Sequence, residues 1–425
     1  MISLATADNA LKEVYLGVVS DQLNTSTNPL LAKIKQTTSD VWGNNIVKMA
    51  PYGVNGGIGA GTETGELPIA GGNNYEKFML ELKNLYGKIE ISDKAVRASM
   101  NSAGAFVNLL NAEMEGLIKA SAFNMGRMLF GDGSGKLATI VSNTATSGAH
   151  TTFVVDNVKN LAEGMIVDII SATGDVTKGA IRIVNVDRLA KTVTAVVSGL
   201  TENATKDLFF CVQGSFGKEL TGLGAIFDTT RESLYGLNRS ENSWMNPYVK
   251  ACGEGSTPGN INDVTMQSVI DYLEENFGSQ VDFIVCSSGV KRNYQNYLAS
   301  YRSNIDVMEL AGGFKAISYN GIPVVSDRFA PANTMYMLNS KEFNLHQLCD
   351  WKWLEGEDGR VIKQNPNHAT YSATLVKYAD LICNKPSSKF KSLMFRPFKK
   401  CRKIRGFSDF RFPKYCKIDI SLCKF

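Results

Sequence analysis

The sequence predicts an α+β chain built from a glycine-tipped β-hairpin, one long helix, a small inserted β domain and an α+β body. Three observations predict it. Residues 53–72, GVNGGIGAGTETGELPIAGG, hold eight glycines in twenty positions between two strand-like flanks. Residues 101–130 carry apolar side chains at spacings of three and four, the mark of an amphipathic helix. Residues 151–213 change to short β-branched runs broken by Gly, Asp and Asn, the pattern of a small barrel or sandwich. The 425 residues suffice for two or three domains with real cores.

The elements follow in order. Residues 4–35 place Leu4, Leu11, Val14, Tyr15, Val18, Val19 and Leu23 at near-helical spacing. The Asn28-Pro29 pair then reads as a break, so a short helix and an extended arm are expected over 1–45. Residues 46–92 read as one long hairpin, NNIVKMAPY before the glycines and NYEKFMLELKNLYGKIEIS after, with a flexible glycine-rich end. Lys88, Ile89, Glu90 and Ile91 alternate with period two. Such a hairpin is marginal alone in water, so something must cover it.

The helix of residues 101–130 spans roughly 42 Å at 1.5 Å per residue. Its stripe of Phe106, Leu109, Leu110, Met114, Leu117, Ile118, Met125, Met128 and Leu129 reads as core, within a domain over 93–144. The inserted β domain is placed at 145–214. An α+β body follows over 215–383. Within it, Val264–Phe277 is an amphipathic helix closed by Gly278, VDFIVCS a buried strand, and GVKRNYQNYLASYR a second helix. GIPVVSD, TMYMLN and TYSATLVKYADLIC read as strands, and WKWLEGEDGRVIKQ as a hairpin.

The glycine motifs do not spell nucleotide binding. Gly131-Asp-Gly-Ser-Gly-Lys136 resembles a phosphate loop, but that loop needs Gly where Phe130 stands and a hydroxyl where Leu137 stands. It reads instead as the end of the long helix and a turn, with Lys136 a surface charge. A dinucleotide fingerprint from Gly57 or Gly59 fails at Thr62 or Thr64.

No catalytic site, cofactor or metal is expected. Three His offer no Ser/His/Asp or Cys/His arrangement, and His346 with Cys349 lacks a second pair for zinc. The acid pairs Glu274/Glu275 and Glu355/Glu357/Asp358 read as solvated faces. The eight Cys contain no C-x-x-C, and Cys211 and Cys286 sit in apolar runs, the pattern of reduced buried thiols. No apolar run reaches the length of a membrane span, and the first residues lack the basic and apolar regions of a signal peptide.

The net charge of +4 conceals an asymmetry. Residues 384–425 hold 13 Lys and Arg against 2 Asp, so this segment is strongly basic and the rest mildly acidic. Seven Phe and one Tyr interleave with those cations. Phosphate contacts from Lys399, Lys400, Arg402, Lys403 and Arg405, with stacking beside them, would suit nucleic acid. An ordered extension packed on the protein and an incidental extension are the competing readings.

Taken in order, four stretches resemble the major capsid proteins of tailed bacteriophages with the Hong Kong 97-type fold. They are ALKEVYLGVVSDQLN with the following GGIGAGTETGELP, GRMLFGDGSGKLA, GLGAIFDTTRESLYGLNRSENSWMNPYV, and NGIPVVSDRFAPANTMYMLNSKEFNL. The resemblance runs from residue 1 to about 384. It implies an N-terminal arm, an extended loop at 46–92 that reaches over a neighbouring subunit, a spine helix, and an axial domain with returning peripheral strands.

Further expectations come with it. The chain would be a structural protein, not an enzyme, assembled in the host cytoplasm into pentamers and hexamers of an icosahedral virion shell. The shell would enclose double-stranded DNA, with portal and scaffold proteins as partners and no membrane or small-molecule substrate. A cellular nanocompartment shell of the same fold, enclosing a protein cargo, is the alternative. Glu63, Glu66, Pro68 and Tyr75 of the extended loop would lie at the subunit interface. Some family members cross-link subunits through a Lys in this loop. No Lys lies between Lys48 and Lys77 here, so that chemistry is not carried over.

Overall fold

The computed structural model describes residues 28–94, 103–147, 150–197, 208–254, 257–300, 307–310, 314–357 and 359–393. The arm up to residue 27 and the cations from Lys399 to Arg405 lie outside these residues.

The described chain opens with helix α1 (Pro29–Lys33) and short strands β1 (Lys35–Thr37) and β2 (Val41–Trp42). Asn28-Pro29 is therefore a helix start and not a break. Asn28 Oδ1 accepts from Leu30 N at 2.9 Å and Leu31 N at 3.1 Å, while Pro29 occupies a first-turn position that needs no N–H.

Strands β3 (Asn45–Tyr52) and β4 (Asn74–Glu81) pair antiparallel over their full length and, with β2, make a three-stranded sheet. The expected hairpin flank ends here. Strand β5 (Lys83–Ser92) leaves the hairpin and pairs with a strand near the end of the chain. Leu85, Ile89 and Ile91 of β5 are buried, and Lys88 and Glu90 face out, as the alternation requires.

Helix α2 (Ala103–Phe130) crosses β5 at Gly87, where an added Cβ would meet Leu117 Cδ1 at 2.8 Å. From Met114 onward its stripe of Ile118, Ala122, Met125 and Leu129 enters the main core. Side chains of the first turns lie outside the described set.

Six strands then close into a barrel: β6 (Lys136–Ser147), β7 (His150–Val155), β8 (Ile166–Ile170), β9 (Val176–Asp187), β10 (Thr192–Val196) and β11 (Phe209–Val212). The inserted domain thus begins at Lys136 rather than at 145. The strand continues straight out of the Gly131–Gly135 turn and pairs with β11. Its interior is a separate core around Phe153, Ile183, Val193 and Phe210.

The body starts with α3 (Leu223–Ile226) and strands β12 (Ser233–Leu234) and β13 (Leu237–Asn238). Strands β14 (Tyr248–Ala251), β15 (Gly253–Glu254) and β16 (Thr257–Pro258) follow. Helix α4 (Asp263–Phe277) starts at Asn262, whose Oδ1 accepts from Thr265 N, and stops at Gly278 with φ of +61°. Then come β17 (Phe283–Cys286), α5 (Ser288–Ser300), β18 (Val307–Leu310), β19 (Phe314–Tyr319), β20 (Ile322–Ser326) and β21 (Met335–Leu338). The last strands are β22 (Phe343–Trp353), β23 (Lys363–Gln364), β24 (Thr370–Cys383) and β25 (Phe390–Leu393).

These make two larger sheets. One runs β14-β25-β21-β17-β20-β19-β18, with α4 and α5 packed against it through Met266, Leu273, Val290 and Tyr294. The other joins β1, β22, β24 and β23, with β5 on β24. The expected boundary at 384 falls inside the fold, because β25 lies between β14 and β21. Phe390 fills the core there, and the buried Lys389 ammonium is satisfied by Glu342 Oε2 at 2.8 Å. With 21% helix and 41% strand, the chain is α+β.

Asp380 of β24 is fully buried and accepts from Thr221 N at 2.7 Å, Thr221 Oγ1 at 3.0 Å and Leu381 N. Burial outweighs these bonds and pushes its carboxyl up to about 6 from 3.8. Burial does the same to Asp327 at the end of β20. The folded state therefore holds these protons more tightly than the unfolded chain. Their stabilisation is complete below about pH 4 and is lost as the pH rises through 6. Asp380→Asn is expected to flatten roughly 2–3 kcal/mol of that pH dependence while the part due to Asp327 persists. Urea unfolding between pH 4 and 7 measures it; an unchanged slope would refute the assignment.

Candidate assembly interface

The glycine run between β3 and β4 is not a loose loop. Its two arms lie against each other backbone to backbone. A Cβ on Gly71 would collide with Gly56 and Gly57, and one on Gly59 would meet Pro68 Cγ at 2.9 Å. Only glycine permits that approach. Asn55 ties the arms, donating from Nδ2 to Asn73 Oδ1 at 3.1 Å and accepting from Gly57 N at 2.9 Å. The tip turns at Thr62–Gly65, where Gly65 N donates to Thr62 O.

Glu63 stands on this tip and Glu66 just past it, both exposed. Pro68 faces Gly59 on the opposite arm. Tyr75 sits on β4, about half exposed, and accepts from Asn73 Nδ2 at 3.3 Å. The four residues expected at an interface are thus strung along one arm and not gathered at one point.

The arm also exposes apolar side chains to water. Ile58, Leu67 and Ile69 are 85, 89 and 91% exposed. At its base, β2, β3 and β4 present a second apolar surface. Period two sends Ile46, Ala50 and Phe78 inward, where they are buried. It sends Trp42, Met49, Tyr75 and Met79 outward, where each is more than half exposed. Contiguous exposed apolar surface of this kind marks an interaction site.

The inward face is clamped by residues 233–246. Trp244 stacks on Tyr52 with centroids 5.4 Å apart and on Phe78 at 5.9 Å, and Tyr235 packs on Phe78 at 5.2 Å. Met79 N donates to Tyr235 O at 3.0 Å, which occupies part of the β4 edge. The Tyr235 hydroxyl donates to Leu381 O and accepts from Cys383 N at 3.0 Å. Burial holds its pKa well above the ordinary phenol value, so it remains a neutral donor. Sequence reasoning missed this aromatic clamp, and nothing local to either segment signals it.

The other residues singled out in the sequence make local contacts. In the Gly131–Lys136 turn, Asp132 Oδ1 accepts from Ser134 N and Oγ, and Ser134 Oγ accepts from Lys136 N. Ser134 and Lys136 thus spend their amides on the loop's own side chains. Lys136 Nζ sits 5.4 Å from the Phe209 ring centre. Glu274, Glu275, Glu355 and Glu357 are exposed. His346 Nδ1 engages Ser39 O at 2.9 Å. Cys211, Cys286 and Cys383 are buried thiols pushed up to about 12, inert as nucleophiles near neutrality. Among the described residues, no cluster of three metal-ligating side chains occurs, and no helix is long and apolar enough to cross a membrane.

No protein-family model matches the chain, and no curated protein sequence matches it significantly. Among solved structures, it is similar to the capsid asymmetric unit of cyanophage A-1(L), at 11% identity and a TM-score of 0.48 over 88% of this chain and 92% of that one. It is also similar to the capsid of a native GTA particle, at 12% identity and 0.44 over 87 and 91%. A third likeness is to the holo-SrpI encapsulin complex of Synechococcus elongatus PCC 7942, at 8% identity and 0.41 over 88 and 92%.

Proposed function

We propose that the chain is a major capsid protein that assembles with copies of itself into an icosahedral shell around a double-stranded DNA genome. One observation carries the proposal: an extended hairpin with apolar surface on its outward face and along its arms, projecting from a body that cannot cover it. In a lone subunit this surface is a liability; in a shell it is the contact. The sequence resemblance gives the same assignment to this segment. The arrangement supports pentamers and hexamers joined by interfaces of obligate size, above roughly 2,000 Å². The work of the molecule is mechanical, and no side chain is asked to do chemistry.

Portal and scaffold proteins belong to this reading as partners, and the host cytoplasm as the place of assembly. The basic, aromatic segment ending the chain favours a nucleic-acid content over a protein cargo, with Lys399, Lys400, Arg402, Lys403 and Arg405 neutralising phosphates. Negative-stain microscopy of the purified protein is expected to show closed particles with five- and six-fold vertices. Soluble monomers at high concentration would refute the shell. Particles holding protein cargo and no nuclease-protected DNA would point to a nanocompartment.

A further inference from the structure

A cavity of about 590 Å³ lies where the hairpin base, helix α2 and the chain leaving the barrel meet. Its lining mixes polar residues, Asn44, Lys83, Asn124 and Lys218 among them, with apolar ones such as Leu82 and Met125. Trp351 also lines it. This indole is 5% exposed, and its buried Nε1–H has no hydrogen-bond partner. A buried donor without an acceptor costs free energy until something supplies one. Of the two carboxylates at the cavity, Glu219 is already engaged by Arg127 from two nitrogens, and Glu81 is exposed. The Trp351 N–H is closed off from solvent, so the cavity offers an incoming group two lysines against the one free carboxylate of Glu81.

The hairpin tip offers the complement. Between Lys48 and Lys77 the chain has no basic residue, while Glu63 and Glu66 stand exposed at the turn. The neighbours Thr62, Thr64 and Gly65 are small, which leaves Glu63 the most prominent group on the tip. The tip cannot enter the cavity of its own subunit. Leu82, in the cavity wall, is also the hairpin base, and the arm from there to Glu66 extends roughly 50 Å at about 3.3 Å per residue.

We propose that this cavity is the receptor for the hairpin tip of a second copy of the chain. Lys83 and Lys218 receive the carboxylates of Glu63 and Glu66. The inference rests on the shell reading above and names the landing point of the arm. It also places the contact at the hinge of the receiving subunit's hairpin, because Leu82 separates β4 from β5. An arriving tip thereby fixes the angle at which the next hairpin leaves its body.

Charge reversal tests it. Glu63→Lys with Glu66→Lys, and separately Lys83→Glu with Lys218→Glu, are each expected to lower the assembled fraction by at least about tenfold in sedimentation velocity. The four changes together are expected to restore particles. Full assembly of either reversed pair, or failure of the combined variant to recover beyond the single pairs, overturns the proposal while wild-type particles keep the shell reading intact.

Lys83→Glu also changes the field near buried Asp380, so a second measurement avoids it. Thr64→Cys with Lys218→Cys is expected to give disulfide-linked multimers that neither single variant gives. A monomer band alone in wild-type-like particles would overturn the landing point. Absence of particles from the wild-type chain would overturn the shell reading itself.

Discussion

Arg127→Ala is expected to destabilise the subunit by roughly 3–5 kcal/mol, the usual cost of leaving one partner of a buried ion pair alone. Arg127 lies in the last turn of α2, and Glu219 on the chain leaving the barrel. The guanidinium donates to Glu219 Oε1 at 2.5 Å and Oε2 at 2.7 Å, and the two side chains are 4 and 3% exposed. Removing the cation leaves a carboxylate in a place without water. Beside it, Gly222 and Gly224 press onto the carbonyls that end α2, where an added Cβ would fit at neither position. The glycines let the chain come this close, and the ion pair fixes its register. A double variant, Arg127→Met with Glu219→Leu, is expected to recover most of the loss, because it removes both charges and keeps the volume. Urea unfolding of the two variants measures this. A loss under about 1 kcal/mol for Arg127→Ala would show that the pair is solvated or dispensable.

Deletion of residues 54–72 is expected to abolish stable shells and leave the subunit folded. The geometry favours a clean excision. Tyr52 and Asn74 are register partners, so the deletion joins β3 to β4 through Gly53-Asn73, a two-residue loop. Gly53 already has φ of +66°, and Gly-Asn suits the tight turns that join antiparallel strands. The aromatic clamp on Tyr52 and Phe78 is untouched. The readout is a pair: a melting temperature near that of the full chain, and no closed particles by microscopy. Normal particles from the deletion would remove the arm from assembly altogether.

What could be read in the chain was what local spacing records. Helix α4 was legible at its end, from Gly278 after it, while the Asn262 cap before it went unread. The long helix was legible because its stripe, from Phe106 to Leu129, repeats for more than six turns. The parting of β4 and β5 carried a signal that went unread. Apolar residues fall on the even positions Phe78, Leu80 and Leu82, then on the odd positions Leu85, Ile89 and Ile91. A strand cannot change phase without changing face, so a break belongs between them. The boundary at 384 failed for a different reason: averaging charge over 384–425 hid Phe390 and a buried, paired cation, Lys389. The hairpin as an exposed, cover-seeking element was legible; the clamp of Tyr235 and Trp244 was not. It joins segments more than 150 residues apart, and no period links them.

The barrel's wiring has a consequence for engineering. Lys136 and Cys211 are register partners on neighbouring strands, so the chain leaves the subunit and returns to it about 5 Å apart. To the rest of the protein, the 76 residues from Lys136 to Cys211 are topologically one long loop, closed at its neck by β6 and β11. A foreign domain whose termini are adjacent is a geometrically compatible replacement, and the turn between β9 and β10, bearing the 98% exposed Leu189, is a natural point for grafting a peptide. In the proposed assembly each copy of the chain would carry one such graft, and the spacing between grafts would be that between neighbouring subunits.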